Sequence, residues 1–329
     1  MAHHLFLAST PFNIVIASMI ALELPKEDIS DLWLIDQPHE SSEFIKRVLS
    51  WSGSPFKEIR LATFQAKSLD AKKQRKNILE QLTQQAMSLD VTDLYTGNDR
   101  RIEFQWLMAH LPSTVKGHYI DDGTYSYIGR KTGWLSDGII DNLLKKLTYG
   151  FWWKQPETIG ASDWIQMAHL AFPEHAVPQL RKKEVRQIPD LLSHPAFASL
   201  GADYSDTLSE IAELNALIIL PHESVRSEKT EQLLLQEGSQ HVNCGIKRHP
   251  RSESATTENA GWMKEVNAKI PFELLLGGLK PGCCVIGDIS SALLTARWLR
   301  PQLKVVCLAE KTNSLTELMD KIGIEVRIV

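Results

Sequence analysis

Three short stretches of this chain hold residues that could do chemistry. The first is "YIDDGTYSY", residues 119 to 127, with adjacent carboxylates at Asp121 and Asp122 followed by Gly123. Carboxylates titrate near ~4, so either is ionised at pH 7 and able to take a proton from a hydroxyl. Side chains along a strand alternate between its two faces, so only one of the pair can point into a given cleft. Asp121 is therefore read as the chemical member and Asp122 as the one that pins the loop by accepting backbone N–H groups. Gly123 lets the chain turn close to a substrate. Asp-Gly is also a common turn dipeptide, and a plain turn stays open as a reading. The second stretch is "KRHPR", Lys247 to Arg251. His249 stands between cations and before Pro250, whose ring fixes the backbone beyond it. It could donate a proton or hydrogen bond to a leaving phosphate. The alternative is an exposed loop histidine, since the same dipeptide recurs at His194-Pro195. The third is "GDISSALLTA", 287 to 296, where Ser290 and Ser291 open a helix directly after an apolar strand. The first N–H groups of a helix lack intrahelical partners and the dipole is positive there, so a phosphate would find donors. An ordinary serine N-cap is the competing reading.

The elements that must carry these stretches alternate. Leu5–Ala8 reads as a buried strand, "STPFN" as a loop and Ile14–Leu24 as a helix. "DLWLIDQ" and "EIRLATF" are further strands, and a polar helix runs from about Ser68 to Ser88. "DLYTGND" and "KGHYIDDG" are strands flanking the helix "RIEFQWLMAHL". A second alternating series begins at "NALIILPHES" (215 to 224) and ends in "EVRIV". Strands alternating with helices indicate doubly wound parallel sheets, whose ligands sit outside the carboxyl ends of the strands. The loops after three strands of the first half, "STPFN", "TGND" and "DDGTYSY", thus share one edge. The expected organisation is an α/β chain of two domains, 1–205 and 206–329, facing each other across a cleft. The segment from about 131 to 200 has weak periodicity and reads as an interdomain and surface region. Within it, "LLKKLTYGFWWKQ" mixes lysines with aromatics. That mixture suits a membrane surface, a sugar acceptor or a helix end packed on the core.

Bulk properties narrow the function classes. The chain has 329 residues, 43% of them hydrophobic and 23% charged, the ordinary balance of a globular protein. A formal net charge of −4 argues against a nucleic-acid partner, which calls for a basic excess. Cys244, Cys283, Cys284 and Cys307 form no CxxC pair, so buried reduced thiols are expected rather than zinc ligands or disulfides. The apolar N-terminal stretch is interrupted by Ser9, Thr10, Pro11 and Asn13, which favours a strand, loop and helix over a signal peptide or a spanning helix. A cytoplasmic location, peripheral to a membrane at most, is expected. The chain carries no G-x-G-x-x-G, Walker A, G-x-S-x-G or H-E-x-x-H signature.

In their order and spacing, "YIDDGTYSY", "KRHPR" and "GDISSALLTA" resemble the motifs of bacterial sialyltransferases of the lipooligosaccharide and capsular polysialyltransferase families. "ASTPFNIVIA" is similar to the opening strand and helix of such enzymes. The middle of the chain, about 131 to 210, carries no matching motif, and Tyr125 stands where many relatives have a small residue. The resemblance implies a GT-B fold of two Rossmann-like domains and an inverting, metal-independent transfer of sialic acid from CMP-sialic acid to a glycan hydroxyl. No cofactor or metal is expected; the partners are a nucleotide-sugar donor and a glycan acceptor on a surface oligosaccharide or capsule. Carried over, Asp121 deprotonates the acceptor hydroxyl, His249 contacts the departing CMP phosphate, and Ser290 and Ser291 hold it, with Lys247 and Pro250 beside them. Helix dipole, hydroxyls and a cationic histidine would supply the charge stabilisation. Topology adds His222 and Glu223 near the donor, and Thr10, Asn13, Gly97, Asn98, Asp122 and Gly123 on the acceptor side. Another CMP-nonulosonic acid such as CMP-Kdo is the rival donor, and a binding protein without turnover is the non-enzyme alternative.

Overall fold

The computed structural model describes residues 1–37, 42–62, 71–129, 142–224, 227–252 and 261–329. The predicted helix start at Ser68 and residues 131–141 of the surface region lie outside these. Among the described residues seven strands build the first sheet: β1 (His3–Ala8), β2 (Ile29–Leu34), β3 (Glu58–Leu61), β4 (Asp93–Thr96), β5 (Lys116–Ile120), β6 (Ile165–Leu170) and β7 (Glu184–Gln187). They lie in the order β3-β2-β1-β4-β5-β6-β7 and every pairing is parallel. The second sheet has six among these residues: β8 (Ala216–Ile219), β9 (Cys244–Lys247), β10 (Lys264–Val266), β11 (Cys284–Gly287), β12 (Lys304–Ala309) and β13 (Glu325–Ile328). Their order is β10-β9-β8-β11-β12-β13, again all parallel. Parallel sheets are covered by helices on both faces, so their central strands must be apolar throughout. β1 and β9 are buried along their whole length, and so is β11. All four cysteines are free and buried, three of them in β9, β11 and β12 and Cys283 just before β11.

The chain divides into two compact units, Met1–Pro189 and Asp190–Val329. The division falls before the helices Pro195–Gly201 and Ser205–Ile211, where the sequence reading drew it after residue 205. The reason is packing. Ile211 and Leu208 lie so close to Gly278 that a Cβ there would stand 3.1 Å from each, which fixes this helical segment to the second unit.

The region read as interdomain surface in fact supplies β6 and β7 to the first sheet. Both were obscured by polar residues with identifiable duties. β7 is an edge strand whose Glu184 and Arg186 face solvent and pair at 2.8 Å, the charged trim that edge strands carry. β6 carries His169 into a polar network on one face of the sheet. His169 Nε2 lies 3.2 Å from His118 Nδ1, and His118 Nε2 lies 2.8 Å from Asp93 Oδ1. Tyr95 stacks on His118 at 4.2 Å and its hydroxyl meets His4 Nδ1 at 3.1 Å.

Burial, and then the His118 and Arg186 charges, hold the His169 imidazole down at about 3. A histidine near ~6.5 in the unfolded chain then takes up a proton that the folded chain refuses, so stability is complete above that pH and falls as pH drops below it. Between pH 7 and pH 5 this one group should withdraw about 2 kcal/mol. Buried carboxylates act in the opposite sense, so the effect is read as a difference. His169→Asn should lose correspondingly less stability over that interval than the parent in urea melts at the two pH values. Equal losses would remove His169 from the acid sensitivity.

Candidate functional site

In doubly wound sheets the crevice opens where the strand order reverses. In the first sheet that point lies between β1 and β4 and in the second between β8 and β11. Each unit places candidate residues there.

In the first unit, β1 runs into Ser9 and Thr10, and the helix Pro11–Glu23 begins at once. Thr10 caps it by accepting from Asn13 N at 3.1 Å, and Pro11 takes the first position, where a missing N–H costs nothing. This brings Asn13, 1% exposed, back over the strand end. Its amide oxygen accepts from Ser9 Oγ at 3.2 Å and its Nδ2 donates to Asp122 Oδ1 at 3.2 Å. β4 delivers Gly97 to the same spot. A Cβ on Gly97 would lie 2.4 Å from Asn13 Nδ2, so only glycine leaves that amide in place. Asn98 serves its own turn: its N–H donates to Thr96 Oγ1 and its side-chain oxygen accepts from Arg100 N.

The loop-pinning hydrogen bonds expected of Asp122 are made by Asp121. Asp121 is 1% exposed and its carboxylate accepts four hydrogen bonds. Gly123 N donates at 2.9 Å, Ser126 Oγ at 2.7 Å, Ala171 N at 3.1 Å, and the Tyr127 hydroxyl completes the set. Asp121 therefore pins the loop and ties it to Ala171, the residue after β6. Burial pushes its pKa up, while the Tyr127 and Ser126 hydroxyls and the two N–H groups push the other way. Asp122 is half-buried, and its second carboxylate oxygen accepts no hydrogen bond from a described residue. Burial raises it to about 6, with the Asp121 charge adding to the rise and the Asn13 bond opposing it. Gly123, at φ +91°, makes the turn that separates the two carboxylates.

In the second unit, β8 ends before His222 and Glu223, and the adjacent β9 ends before His249. The two imidazoles meet edge-on, centroids 5.3 Å apart and planes at 89°. His222 Nε2 also lies 3.6 Å from the Glu223 carboxylate. His249 Nδ1 accepts from Arg251 N at 3.2 Å, so the neutral ring carries its proton on Nε2. Burial, then His222, Arg251 and Lys247, lower its pKa. These neighbours disfavour the expected cationic histidine, and the ring as placed turns Nε2 outward as the donor. Pro250 is exposed beside it. Lys247 is not beside it in the sense expected. It is 4% exposed, its ammonium donates to Ala268 O at 2.9 Å, and burial lowers it to about 8. The strand places its side chain inside, where Arg248 is also tied up by Glu265 at 3.0 Å.

β11 leads through Gly287 and Asp288 to the helix Ser291–Leu299, with Ser290 at the N-cap position. Ser290 has the extended backbone of a cap but makes no side-chain cap bond. Among the described residues its buried Oγ has no hydrogen-bond partner, and neither has Asp288 Oδ1 two residues earlier. Burial raises Asp288 to about 6. Ser291 is exposed at the first turn. An N-terminus with a free hydroxyl and uncapped N–H groups is built to take an anion. Asp288 was missed in the sequence because the serine pair accounts for the motif by itself; its signal is an acid at the end of an otherwise apolar strand.

No family model matches the chain, and no curated protein does. Solved structures match it in fold. A sialyltransferase from Photobacterium damselae, over the part corresponding to its GT-B domain, aligns with 99% of this chain and 98% of its own, at TM-score 0.58 and 14% identity. The UDP-GlcNAc 2-epimerase from Neisseria meningitidis bound to UDP-GlcNAc aligns at TM-score 0.58 and 10% identity, over 99% of this chain and 87% of its own. Anabaena Alr3699/HepE in complex with UDP and glucose aligns at 0.52 and 10%, over 100% and 86%. Two parallel-sheet, Rossmann-like α/β units of the GT-B kind are what this chain shares with all three.

Proposed function

We propose that the protein is a glycosyltransferase that moves a sialic acid from CMP-sialic acid to a hydroxyl of a glycan acceptor in one inverting displacement, without a metal ion. The observation that carries this reading is the buried, unpartnered Ser290 hydroxyl at an uncapped helix N-terminus, placed where the second sheet reverses its strand order. The three motifs supply the choice of sialic acid, and the Photobacterium fold match is consistent with it. In this scheme Asp122, rather than Asp121, takes the proton of the acceptor hydroxyl. The acceptor oxygen bonds to the anomeric carbon, and the bond from that carbon to the phosphate oxygen breaks with its electron pair on the phosphate. The positive N-terminal end of the helix Ser291–Leu299, the Ser290 and Ser291 hydroxyls and the Nε2–H of His249 receive the charge.

The test is CMP release from a panel of CMP-sugars, CMP-sialic acid and CMP-Kdo among them, with UDP-GlcNAc included because an epimerase shares the fold. Ser290→Ala should lower CMP affinity roughly tenfold by isothermal titration. It should leave the melting temperature nearly unchanged, because no cap bond is lost. Tight CMP binding with no donor turned over would leave a binding protein and sink the transferase.

A further inference from the structure

We propose that His222 is a positioning residue for His249: its ring holds the His249 imidazole so that Nε2 is the atom offered to the leaving phosphate. This role rests on the transferase reading above, which gives His249 its phosphate. β8 and β9 lie side by side and parallel, with Ile219 opposite Lys247. Leu220 N donates to Lys247 O at 2.9 Å as the two chains leave the sheet. The loops that follow thus begin together, and His222 and His249 meet edge to face, ring centroids 5.3 Å apart and planes at 89°. That is one of the geometries aromatic rings favour.

Each imidazole is seated by the same local device. Ser224 N donates to His222 Nδ1 at 3.1 Å and Arg251 N donates to His249 Nδ1 at 3.2 Å, so each ring accepts from the residue two positions on. In the neutral ring the proton then stands on Nε2. The two differ at that second nitrogen. His222 Nε2 lies 3.6 Å from the Glu223 carboxylate, and Ser224 Oγ stands 2.8 Å from its Nδ1. His249 Nε2 has no hydrogen-bond partner among the described residues. His222 is thus engaged at both nitrogens while His249 keeps one open: the first holds and the second acts. The Glu223 charge also makes His222 itself a poor seat for a phosphate. One hydrogen bond at Nδ1 leaves the His249 ring free to tilt about it, and packing against His222 restricts that tilt. The charged and titratable groups facing His249 are His222, Arg251, Lys247 and Glu223. Burial and then His222 lower its pKa, Arg251 and Lys247 add to this, and Glu223 opposes it. Two imidazoles in contact repel each other when both take a proton. Protonation of His249 would also turn Nδ1 into a donor facing the Arg251 N–H. The position of the ring and its proton are therefore coupled through His222.

Isothermal titration with CMP and a histidine-resolved NMR titration of the ligand-free full chain test this. His222→Ala should weaken CMP binding roughly fivefold, the effect of one edge-to-face ring pair, with an unchanged melting temperature. His222→Phe, which keeps a ring edge against His249, should recover most of that loss. In the NMR titration the His249 midpoint should lie at higher pH in both variants than in the parent, because the imidazole that repels its proton is gone. CMP affinity in His222→Ala equal to the parent's, a His222→Phe no better than His222→Ala, or an unmoved His249 midpoint would each overturn the role of His222 and leave the transferase reading standing. So would a lower melting temperature in both variants, which makes the ring contact internal packing. A parent chain that binds no CMP would remove the transferase reading, and the role of His222 with it.

Discussion

Asp122→Asn should lower kcat/KM for sialyl transfer by about 10²- to 10⁴-fold, the usual contribution of a positioned general base. Asparagine keeps the shape of the side chain and can still meet Asn13, so the loop should stand and the melting temperature should hold. What is lost is the oxygen that accepts the proton. The pH profile gives a second readout. Asp122 must be ionised to accept, and its pKa is raised to about 6, so parent activity should climb through that pH and level off above it. The residual activity of the variant should lack that limb. Asn13→Ala removes the one hydrogen bond that favours the ionised form, so the limb should move to higher pH. Full activity in Asp122→Asn would return the base to another residue.

Asp121→Ala should act on stability instead. It leaves the backbone N–H groups of Gly123 and Ala171 and the Tyr127 hydroxyl without this acceptor, and Ser126 Oγ with only the Tyr119 hydroxyl. Removing one partner of a buried polar set costs about 3–5 kcal/mol. In a unit of this size that corresponds to a fall in melting temperature of roughly 10 °C. Activity should fall with it, because the loop carrying Asp122 is held by these bonds. Urea or thermal melts that coincide with the parent's would show that Asp121 does not hold the loop.

The contrast between these neighbours shows where sequence reasoning reaches its limit. The alternation argument was applied at Asp121, but β5 ends at Ile120 and the rule ends with it. What decides the matter is Tyr127 and Ser126 folding back and Ala171 arriving from β6, contacts that span up to 50 residues. β6 itself was illegible for a related reason, since its histidine is paid for by partners on β4 and β5. Lys247 looked like a phosphate ligand because it adjoins His249, yet β9 is buried on both faces and the Lys247 ammonium is taken by Ala268 O. The doubly wound architecture, by contrast, was legible, because apolar runs such as "LFLA" and "CCVIG" suit strands buried on both faces. The strand ends that precede Asn13, Gly97, His222 and His249 were legible in the same way.

The clean division at Pro189–Asp190 has a consequence for how the chain is made. Every strand of the first sheet precedes that point in sequence and every strand of the second follows it. Yet neither sheet can be finished early. β1, the first strand of its sheet in sequence, pairs with β2 on one side but waits for β4 on the other. The first unit therefore has its full complement of strands only once β7 has left the ribosome, and from then on it can close while the second is still being translated. Vectorial synthesis thus keeps two long, all-parallel sheets from competing for each other's strands, a hazard that a chain crossing back between units would reintroduce.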